Sequence, residues 1–193
     1  MDNICNKVRH KNKPNDIIYT PDQVVDYHLS LLDLNDTYTY LDPSYGDGVY
    51  FNKLPNKKEW TEIEKGKDFF EVNKKYTWVI GNPSYSILDK WLKHTLTICE
   101  NFSYIIGIVN LTPRRMRLIE EAGFHINIMS IVKVPTWFMR SVIIVCNKKK
   151  ETQKILHKSF GNRCLYCGCP CGGMRGKNIK HCKRKSNDKV CRY

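Results

Sequence analysis

The pattern of apolar positions alternates between helical and strand spacing along the first 150 residues. At 21–32, Val24, Val25 and Leu31 recur on one face of a predicted helix, with Pro21 at its start. The same spacing predicts helices at 49–54, 88–99 and 113–122. Apolar and β-branched runs predict strands at 37–41, 60–63, 76–80, 104–109, 124–132 and 142–146.

This alternation of strands and helices indicates an α/β protein. Continuous apolar strands are typical of a mostly parallel sheet that is covered on both faces. Only five residues, 71–75, separate Phe70 from the strand at 76–80, which leaves little room for an additional strand and helix. We therefore expect a sheet of six or seven strands.

A change in composition at 147–150, Asn-Lys-Lys-Lys, marks the predicted domain boundary. Residues 17–150 form the predicted core domain, 1–16 a flexible polar segment, and 151–193 a small tail. With 193 residues, of which 41% are hydrophobic, the chain is able to bury a core and is not disordered throughout. No apolar run approaches the roughly 18–20 residues that cross a bilayer, so we expect no membrane association.

Charge and cysteine are both concentrated in the tail. The net charge is +13, and residues 151–193 hold 11 Lys and Arg against 2 Asp and Glu, whereas residues 1–150 hold 21 against 17. Residues 1–13 lack the apolar stretch of a secretory signal, which predicts a cytoplasmic protein, in the host cytoplasm if the source is viral. Clustered cysteines in a reducing compartment favour metal binding over disulfides.

Two loops carry candidate chemistry. Leu41-Asp-Pro-Ser-Tyr-Gly-Asp-Gly48 follows a predicted strand, and its two glycines allow a sharp turn close to a ligand. Gly81-Asn-Pro-Ser-Tyr85 follows another strand and combines an amide oxygen, a backbone fixed by proline and an aromatic ring, as a clamp for an amine-bearing base requires. Either loop taken alone is also consistent with an ordinary turn.

The order of these motifs resembles a known family. Tyr-Thr-Pro precedes a helix, Asp-Pro-x-x-Gly-x-Gly follows a strand, and Glu-Ile, Gly-Lys-Asp-Phe-Phe and Asn-Pro-Ser-Tyr come after them in turn. Over residues 17–147 this set is similar to S-adenosylmethionine-dependent adenine-N6 DNA methyltransferases, particularly the small phage and giant-virus types. The resemblance implies a Rossmann-like class I methyltransferase sheet whose last strand is antiparallel.

The resemblance also implies residues that bind S-adenosylmethionine. These residues would contact the methionine part, the amino-acid group, the ribose and the adenine of the cofactor. They are Tyr19, Thr20, Pro21, Asp42, Pro43, Gly46, Gly48, Glu62, Asp68 and Phe69. Glu62 corresponds to the acidic residue that takes the ribose hydroxyls. Its alternative is a solvated charge beside Glu59 and Glu64.

The same resemblance assigns catalysis to Asn82, Pro83 and Tyr85. The Asn82 amide oxygen and the Pro83 carbonyl would hold the target amine, while Tyr85 would stack on the base. Ser84 departs from the second proline that the family usually has at this point, and it makes the backbone of the loop less rigid. A target base in duplex DNA would have to be flipped out.

Further residues are candidates for substrate contact. Arg114 and Arg115 begin a predicted helix, where cations oppose the helix dipole, and phosphate contact or a solvated helix end accounts for them equally well. Trp137 and Phe138 lie in the predicted hairpin between the last two strands. They would either hold the flipped base or belong to the core.

The tail contains a Cys-x-x-Cys pair. Cys164 and Cys167 with Cys182 and Cys191 form a candidate structural zinc site, although His181, Cys169 or Cys171 are possible substitutes. Reactive or partly disordered thiols are the alternative. The interleaved basic residues favour contact with a nucleic-acid backbone.

The sequence as a whole predicts methyl transfer from S-adenosylmethionine to the exocyclic amine of adenine in DNA. An RNA-adenine or cytosine-N4 methyltransferase would use the same clamp. A non-catalytic nucleic-acid-binding protein on a decayed methyltransferase scaffold is the alternative of a different class.

Overall fold

A computed structural model of the protein describes residues 19–134, 137 and 139–160. Seven strands in these residues form one sheet in the order β2-β1-β3-β4-β6-β5-β7. The strands are β1 (Tyr40–Asp42), β2 (Lys58–Trp60), β3 (Tyr76–Gly81), β4 (Cys99–Gly107), β5 (His125–Lys133), β6 (Ser141–Asn147) and β7 (Lys154–Ser159).

Helices cover both faces of the sheet. They are α1 (Asp22–Leu29), α2 (Val49–Lys53), α3 (Leu88–Ile98) and α4 (Pro113–Glu121). Short 3₁₀ turns lie at Ile63–Lys65, Phe69–Glu71 and Ile108–Asn110. In the part of the chain that the structure describes, none of the helices is long and apolar enough to cross a membrane.

The predicted fold class is confirmed. Strands β2, β1, β3 and β4 are parallel, and β6 is inserted antiparallel between β4 and β5. The predicted core domain contributes six strands, of which the last, β6, is antiparallel. The sheet does not end at residue 150, because β7 pairs in parallel with β5 and comes from the segment that the sequence assigns to the tail.

The core has two layers, one on each face of the sheet. Because side chains alternate along a strand, Val79 of β3 packs under α3 and α4, while Trp78 and Ile80 pack under α1 and α2. Tyr40 and Phe102 are among the large side chains that this packing buries completely. The layers hold the ends of β1, β3 and β4 in fixed positions.

Strand β4 begins five residues before its predicted start. Glu100, Asn101 and Ser103 break the apolar run there, so the sequence pattern does not show a strand. Their polar groups serve the sheet: the Asn101 amide donates to the Thr77 carbonyl at 2.9 Å, and the Ser103 hydroxyl donates to the Ile144 carbonyl at 2.8 Å. Tertiary pairing therefore outweighs the local polar pattern.

Strand β2 is an edge of the sheet. Residues 61–75, which connect it to β3, form only two 3₁₀ turns and neither a strand nor an α-helix. This agrees with the short spacer in the sequence. The 61–75 connection lies beside the loop that follows β1, to which Thr61 and Glu62 bond.

Candidate cofactor and base-binding site

The two candidate loops contact each other at the carboxyl ends of β1 and β3. The Ser44 hydroxyl donates to the Asn82 backbone carbonyl at 2.9 Å. A Cβ on Gly81 would lie 3.2 Å from the Pro43 ring and 3.3 Å from Asp42 Oδ1, so this close approach depends on glycine. The sheet therefore brings both motifs into one site, at the edge where ligands bind in open α/β sheets.

The glycine loop has a conformation that requires glycine. Gly46 and Gly48 have φ values of +53° and +82°, and a Cβ on Gly48 would lie 2.7 Å from the Tyr45 ring. The Tyr19 ring packs against Gly46, at 3.6 Å from where a Cβ would be. Tyr19 is 52% exposed and therefore covers the loop from the solvent side.

Asp42 is a buried carboxyl group with spare hydrogen-bonding capacity. Its Oδ1 accepts from the Ser44 amide at 3.2 Å, and its Oδ2 has no hydrogen-bond partner among the described residues. Burial raises the pKa of Asp42 to about 7; the backbone amides of Ser44 and Phe51 oppose this rise, and the charges of Glu62 and Asp47 add to it. A cationic group beside Oδ2 would favour the ionised form.

Glu62 binds the glycine loop. Its Oε2 accepts from the Gly46 amide at 2.9 Å, and its backbone pairs with Lys67 in both directions. The carboxylate is thus bonded to the glycine loop, and its contact with the ribose hydroxyls stays a prediction. The adjacent Ile63 is 67% exposed and places an apolar side chain beside it, which the sequence analysis did not single out.

Asp68 and Phe69 have different surroundings. The Asp68 carboxylate accepts from the Phe70 amide at 2.8 Å and lines a cleft of about 470 Å³ between β2 and residues 66–72. Phe69 is only 3% exposed and stacks on Trp91 with ring centroids 4.5 Å apart. Phe69 is therefore a core residue, and contact of its ring with a cofactor stays a prediction.

The Asn82 side chain is held on two sides. Its Nδ2 donates to the Thr20 hydroxyl at 3.3 Å, and its Oδ1 accepts from the Tyr85 hydroxyl at 3.0 Å. Thr20 and Pro21 are buried at the start of α1, and the Pro21 carbonyl accepts the first hydrogen bonds of that helix. The predicted N-terminal element and the predicted catalytic motif therefore meet.

The Tyr85 ring lies near the ends of β4 and β6. A Cβ on Gly107 would lie 4.0 Å from this ring, 3.8 Å from Met139 and 3.1 Å from the Asn110 amide. Pro83 is buried beneath the loop. The clamp formed by residues 82–85 therefore faces Asn110, which follows β4, and Met139, which precedes β6.

Arg115 is engaged in structural bonds. Its Nε donates to Asp89 Oδ1 at 2.6 Å and its Nη1 to the Asn110 carbonyl at 2.8 Å, and the side chain is only 17% exposed. These bonds join the first turn of α3 to the loop after β4, which explains why a cation is tolerated at the start of α4. Arg114 is 81% exposed and lies 3.6 Å from Asp89. Of the two predicted phosphate contacts, only Arg114 has a side chain open to solvent.

Of the remaining residues predicted to bind substrate or metal, the structure describes only Trp137. Trp137 is partly buried and packs against the core layer under α1 and α2, as its core alternative predicts. Phe138 and the four candidate zinc ligands lie outside the described residues. Within the described residues, no group of three or more His, Cys, Asp or Glu side chains is placed to hold a metal ion.

A buried polar cluster behind the site was missed by the sequence analysis. His28 is fully buried, with Nδ1 2.7 Å from the Tyr50 hydroxyl and Nε2 2.7 Å from the Ser103 hydroxyl. Burial lowers the pKa of His28 to about 3, so the ring is neutral. The one available signal was a histidine on the core-facing side of a predicted helix.

Several solved structures with a similar fold are methyltransferases. The M protein of the type I restriction enzyme EcoKI has a TM-score of 0.58 and 9% sequence identity to this protein. The match covers 83% of this chain and 52% of the M protein, so this chain spans about half the length of the M protein. Magnesium protoporphyrin IX methyltransferase from Synechocystis, solved with bound S-adenosylmethionine, has a TM-score of 0.52 and 13% identity over 66% and 77%. A proposed RNA methyltransferase from Pyrococcus horikoshii has a TM-score of 0.52 and 18% sequence identity, and the match covers 67% of this chain and 83% of that protein.

These similarities establish the fold. The chain has the Rossmann-like class I fold of S-adenosylmethionine-dependent methyltransferases. No protein-family model matches the sequence, and no curated protein matches it either. The chemistry of this chain therefore has to be argued from its own site.

Proposed function

We propose that the protein transfers a methyl group from S-adenosylmethionine to the exocyclic amine of adenine in DNA. The observation that carries this proposal is the contact between the Asn82-Pro83-Ser84-Tyr85 loop and the glycine loop of β1, through the bond from Ser44 to the Asn82 carbonyl. One loop suits a cofactor and the other suits a base, and they meet at one edge of a methyltransferase fold.

The residues around the glycine loop fit the cofactor. The free Oδ2 of Asp42 suits the cationic amino group of the methionine part, and the turn at Gly48 has no room for a side chain. Glu62, which bonds to the Gly46 amide of the glycine loop, would take the two ribose hydroxyls. Asp68, in the wall of the neighbouring cleft, would accept from the adenine amine, and Tyr19 and Thr20 would cover the methionine part.

Bound S-adenosylmethionine would supply an electrophilic methyl group. The Asn82 amide oxygen and the Pro83 carbonyl would accept hydrogen bonds from the target amine and direct its lone pair at that methyl. As the amine nitrogen bonds to the methyl carbon, the bond from this carbon to sulfur would break, which leaves S-adenosylhomocysteine, and the amine would release one proton to water. The Tyr85 ring would stack on the base, a contact worth about 1–3 kcal/mol. Alignment of the reacting atoms would provide most of the acceleration, and no covalent enzyme intermediate is needed.

Contact with DNA phosphates is proposed for the rim beside α4. Arg114, Arg117 and Lys93 surround a cleft of about 280 Å³ between α3 and α4, together with Asp89 and Glu121. Helix α3 begins close to the clamp, since it follows Tyr85 by three residues, and Arg115 at the start of α4 bonds to Asp89 in its first turn. The basic tail would add further phosphate contacts, and its cysteines would hold a structural zinc ion.

The substrate is tested by incubating the protein with isotope-labelled S-adenosylmethionine and duplex DNA, single-stranded DNA or RNA, followed by mass spectrometry of the nucleosides. Labelled N6-methyldeoxyadenosine is the expected product. Methylated adenosine from RNA or N4-methylcytosine would keep the mechanism and replace the target. If no substrate gains a methyl group while the cofactor still binds, the protein is a binding module on a methyltransferase scaffold.

A further inference from the structure

Three of the six large hydrophobic side chains that are exposed within the described residues lie beside the clamp. They are Ile87, Ile108 and Val109, which are 42%, 37% and 55% exposed. A single exposed apolar side chain is ordinary on a protein surface and needs no explanation. Three of them beside one candidate active site, two of which are adjacent in the chain, indicate a surface that binds something apolar.

Ile108 and Val109 directly follow β4, next to the ring of the clamp. A Cβ on Gly107, the residue before Ile108, would lie 4.0 Å from the Tyr85 ring. Since this ring is the one on which the target base would stack, a bound base would lie close to the 3₁₀ turn Ile108–Asn110. The target base and the two apolar side chains would therefore be neighbours.

The turn that carries the two side chains is fixed at both of its ends. The Ile108 amide donates to the Arg140 carbonyl at 3.0 Å, and the Leu111 amide donates to the Ile108 carbonyl at 3.2 Å. The Arg115 guanidinium donates to the Asn110 carbonyl at 2.8 Å. These bonds hold the backbone in place while the two side chains reach the solvent, as is needed for side chains that separate stacked bases.

Exposed cations lie at both ends of the same turn. Arg140 is exposed, and its carbonyl holds the Ile108 amide. Arg114 is 81% exposed and directly precedes Arg115, which bonds to the other end of the turn. One carboxylate, that of Asp89, lies near both Arg114 and Arg115 and so balances only one of these two charges. Apolar side chains between cations match duplex DNA, in which stacked bases lie between two rows of phosphates.

We propose that Ile108 and Val109 form an apolar wedge that enters a DNA duplex beside the target adenine. The wedge fills the space that the adenine leaves in the stack of bases, and it keeps the duplex open while the adenine lies on Tyr85. This inference rests on the proposed function and specifies its substrate. A single strand needs no such wedge, so duplex DNA is the form of the substrate that the wedge serves.

The kinetic test compares one circular DNA as a relaxed duplex and as a single strand. The ratio of kcat/KM, duplex over single strand, should fall about tenfold when Ile108→Ser and Val109→Ser are combined, because the small polar side chains lose their apolar contact with the bases. Val109→Leu keeps an apolar side chain and should retain the wild-type ratio. Ile155→Ser, at a 70% exposed position on the edge strand β7, is the matched control.

The rate on the single strand shows, for each preparation, that the variant is folded. An unchanged ratio in the double variant would overturn the wedge. Sedimentation of the same proteins tests a second copy of this chain as the occupant of the apolar surface. A wild-type dimer that becomes a monomer in the double variant, with no change in the ratio, would assign the two side chains to an interface between copies and would also overturn the wedge.

A chemical test needs no methyl transfer and so separates the wedge from the proposed function. Permanganate oxidises unstacked thymines. With S-adenosylhomocysteine present and equal fractions of DNA bound, the wild type should raise the reactivity of thymines in the duplex, and the double variant should leave it near that of free DNA. Such a difference in a protein without methyl transfer would support the wedge and contradict the proposed function alone. Methyl transfer to DNA with equal thymine reactivity in the two proteins would overturn the wedge alone, and so would a failure to bind duplex DNA.

Discussion

The Tyr85 hydroxyl donates a hydrogen bond to Asn82 Oδ1 at 3.0 Å, so the ring and the amide of the clamp are joined. This oxygen is the acceptor that the proposed mechanism gives to the target amine. A base that enters the clamp must therefore compete with the Tyr85 hydroxyl for Asn82, while it uses the Tyr85 ring for stacking. The two functions of Tyr85 can be separated by substitution.

Tyr85→Phe keeps the ring and removes the competing hydroxyl, whereas Tyr85→Ala removes both. We expect Tyr85→Phe to retain kcat and to bind DNA at least as well as the wild type. Tyr85→Ala should lose the stacking energy of about 1–3 kcal/mol, which corresponds to a fall in kcat/KM of about 5- to 150-fold. Steady-state kinetics on one DNA substrate measures both. A large loss in Tyr85→Phe would show that the hydroxyl itself is needed.

Asp42 should make cofactor binding depend on pH near neutrality. A cationic amino group beside its carboxyl favours the ionised form, so affinity for S-adenosylmethionine should rise with pH until about 7 and fall roughly tenfold per pH unit below it. Calorimetry in buffers of different ionisation enthalpy should detect proton release from Asp42 on binding below pH 7. In Asp42→Asn this release should vanish.

The same carboxyl group affects stability in the opposite sense. Its folded-state pKa of about 7 lies above the ordinary value of 3.8, so the folded protein holds this proton more tightly than the unfolded chain does. Without cofactor, the Asp42 contribution to the free energy of unfolding is therefore greatest below pH 4 and is lost as pH rises to about 7. As pH rises from about 4 to about 7, the free energy of unfolding of the wild type should fall relative to that of Asp42→Asn, which has no titrating group at this position. Denaturant titrations of both proteins across this pH range measure the difference.

Glu62 should affect the cofactor and not the chemical step. Glu62→Gln keeps an oxygen for the Gly46 amide but loses the carboxylate that would take two hydroxyls. The dissociation constant for S-adenosylmethionine should rise about tenfold, and kcat at saturating cofactor should stay near the wild-type value. Glu64→Gln, at the exposed neighbouring position, is the matched control. Equal affinities in the two variants would contradict the assignment.

Arg114 and Arg115 should behave differently although they are neighbours. Arg115→Ala breaks the bonds to Asp89 and Asn110 and should cost about 1–3 kcal/mol of stability, seen as a lower Tm. Arg114→Ala should leave Tm unchanged and make the salt dependence of DNA affinity shallower by about one phosphate contact. A salt dependence that Arg114→Ala does not change would remove this residue from the DNA surface.

The zinc prediction concerns residues outside the described part of the chain. Protein purified in reducing buffer should hold about one equivalent of zinc by inductively coupled plasma mass spectrometry, and Cys164→Ser with Cys167→Ser should remove it. Less than half an equivalent in the wild type would contradict the site.

The elements that the sequence predicted best are those with a continuous local pattern. Strand β3 and helices α2 and α4 lie within about one residue of their predicted bounds, because β3 is apolar on both faces and each of the two helices packs one face against a single core layer. The start of β4 was missed because Asn101 and Ser103 satisfy sheet neighbours that are distant in sequence. No local pattern contains such a partner.

For the candidate site too, the sequence predicted what depends on local motifs and missed what depends on contacts between distant elements. The sequence placed Asp42, Glu62 and Asn82 near one another through the order of their motifs, and the structure joins their loops by direct bonds. It could not show that Phe69 stacks on Trp91 in the core, that Arg115 bonds to Asp89, or that His28 is buried between Tyr50 and Ser103. These facts depend on which faces of separate helices and strands meet.

The central claim is that Asn82 catalyses methyl transfer, and its most direct test compares the wild type with Asn82→Ala. Asn56→Ala, at an exposed position away from the clamp, is the control. Transfer of labelled methyl to DNA and affinity for S-adenosylmethionine are measured on the same preparations. We predict that Asn82→Ala loses methyl transfer and keeps cofactor affinity, while Asn56→Ala resembles the wild type. Methyl transfer by Asn82→Ala at the wild-type rate would contradict the account.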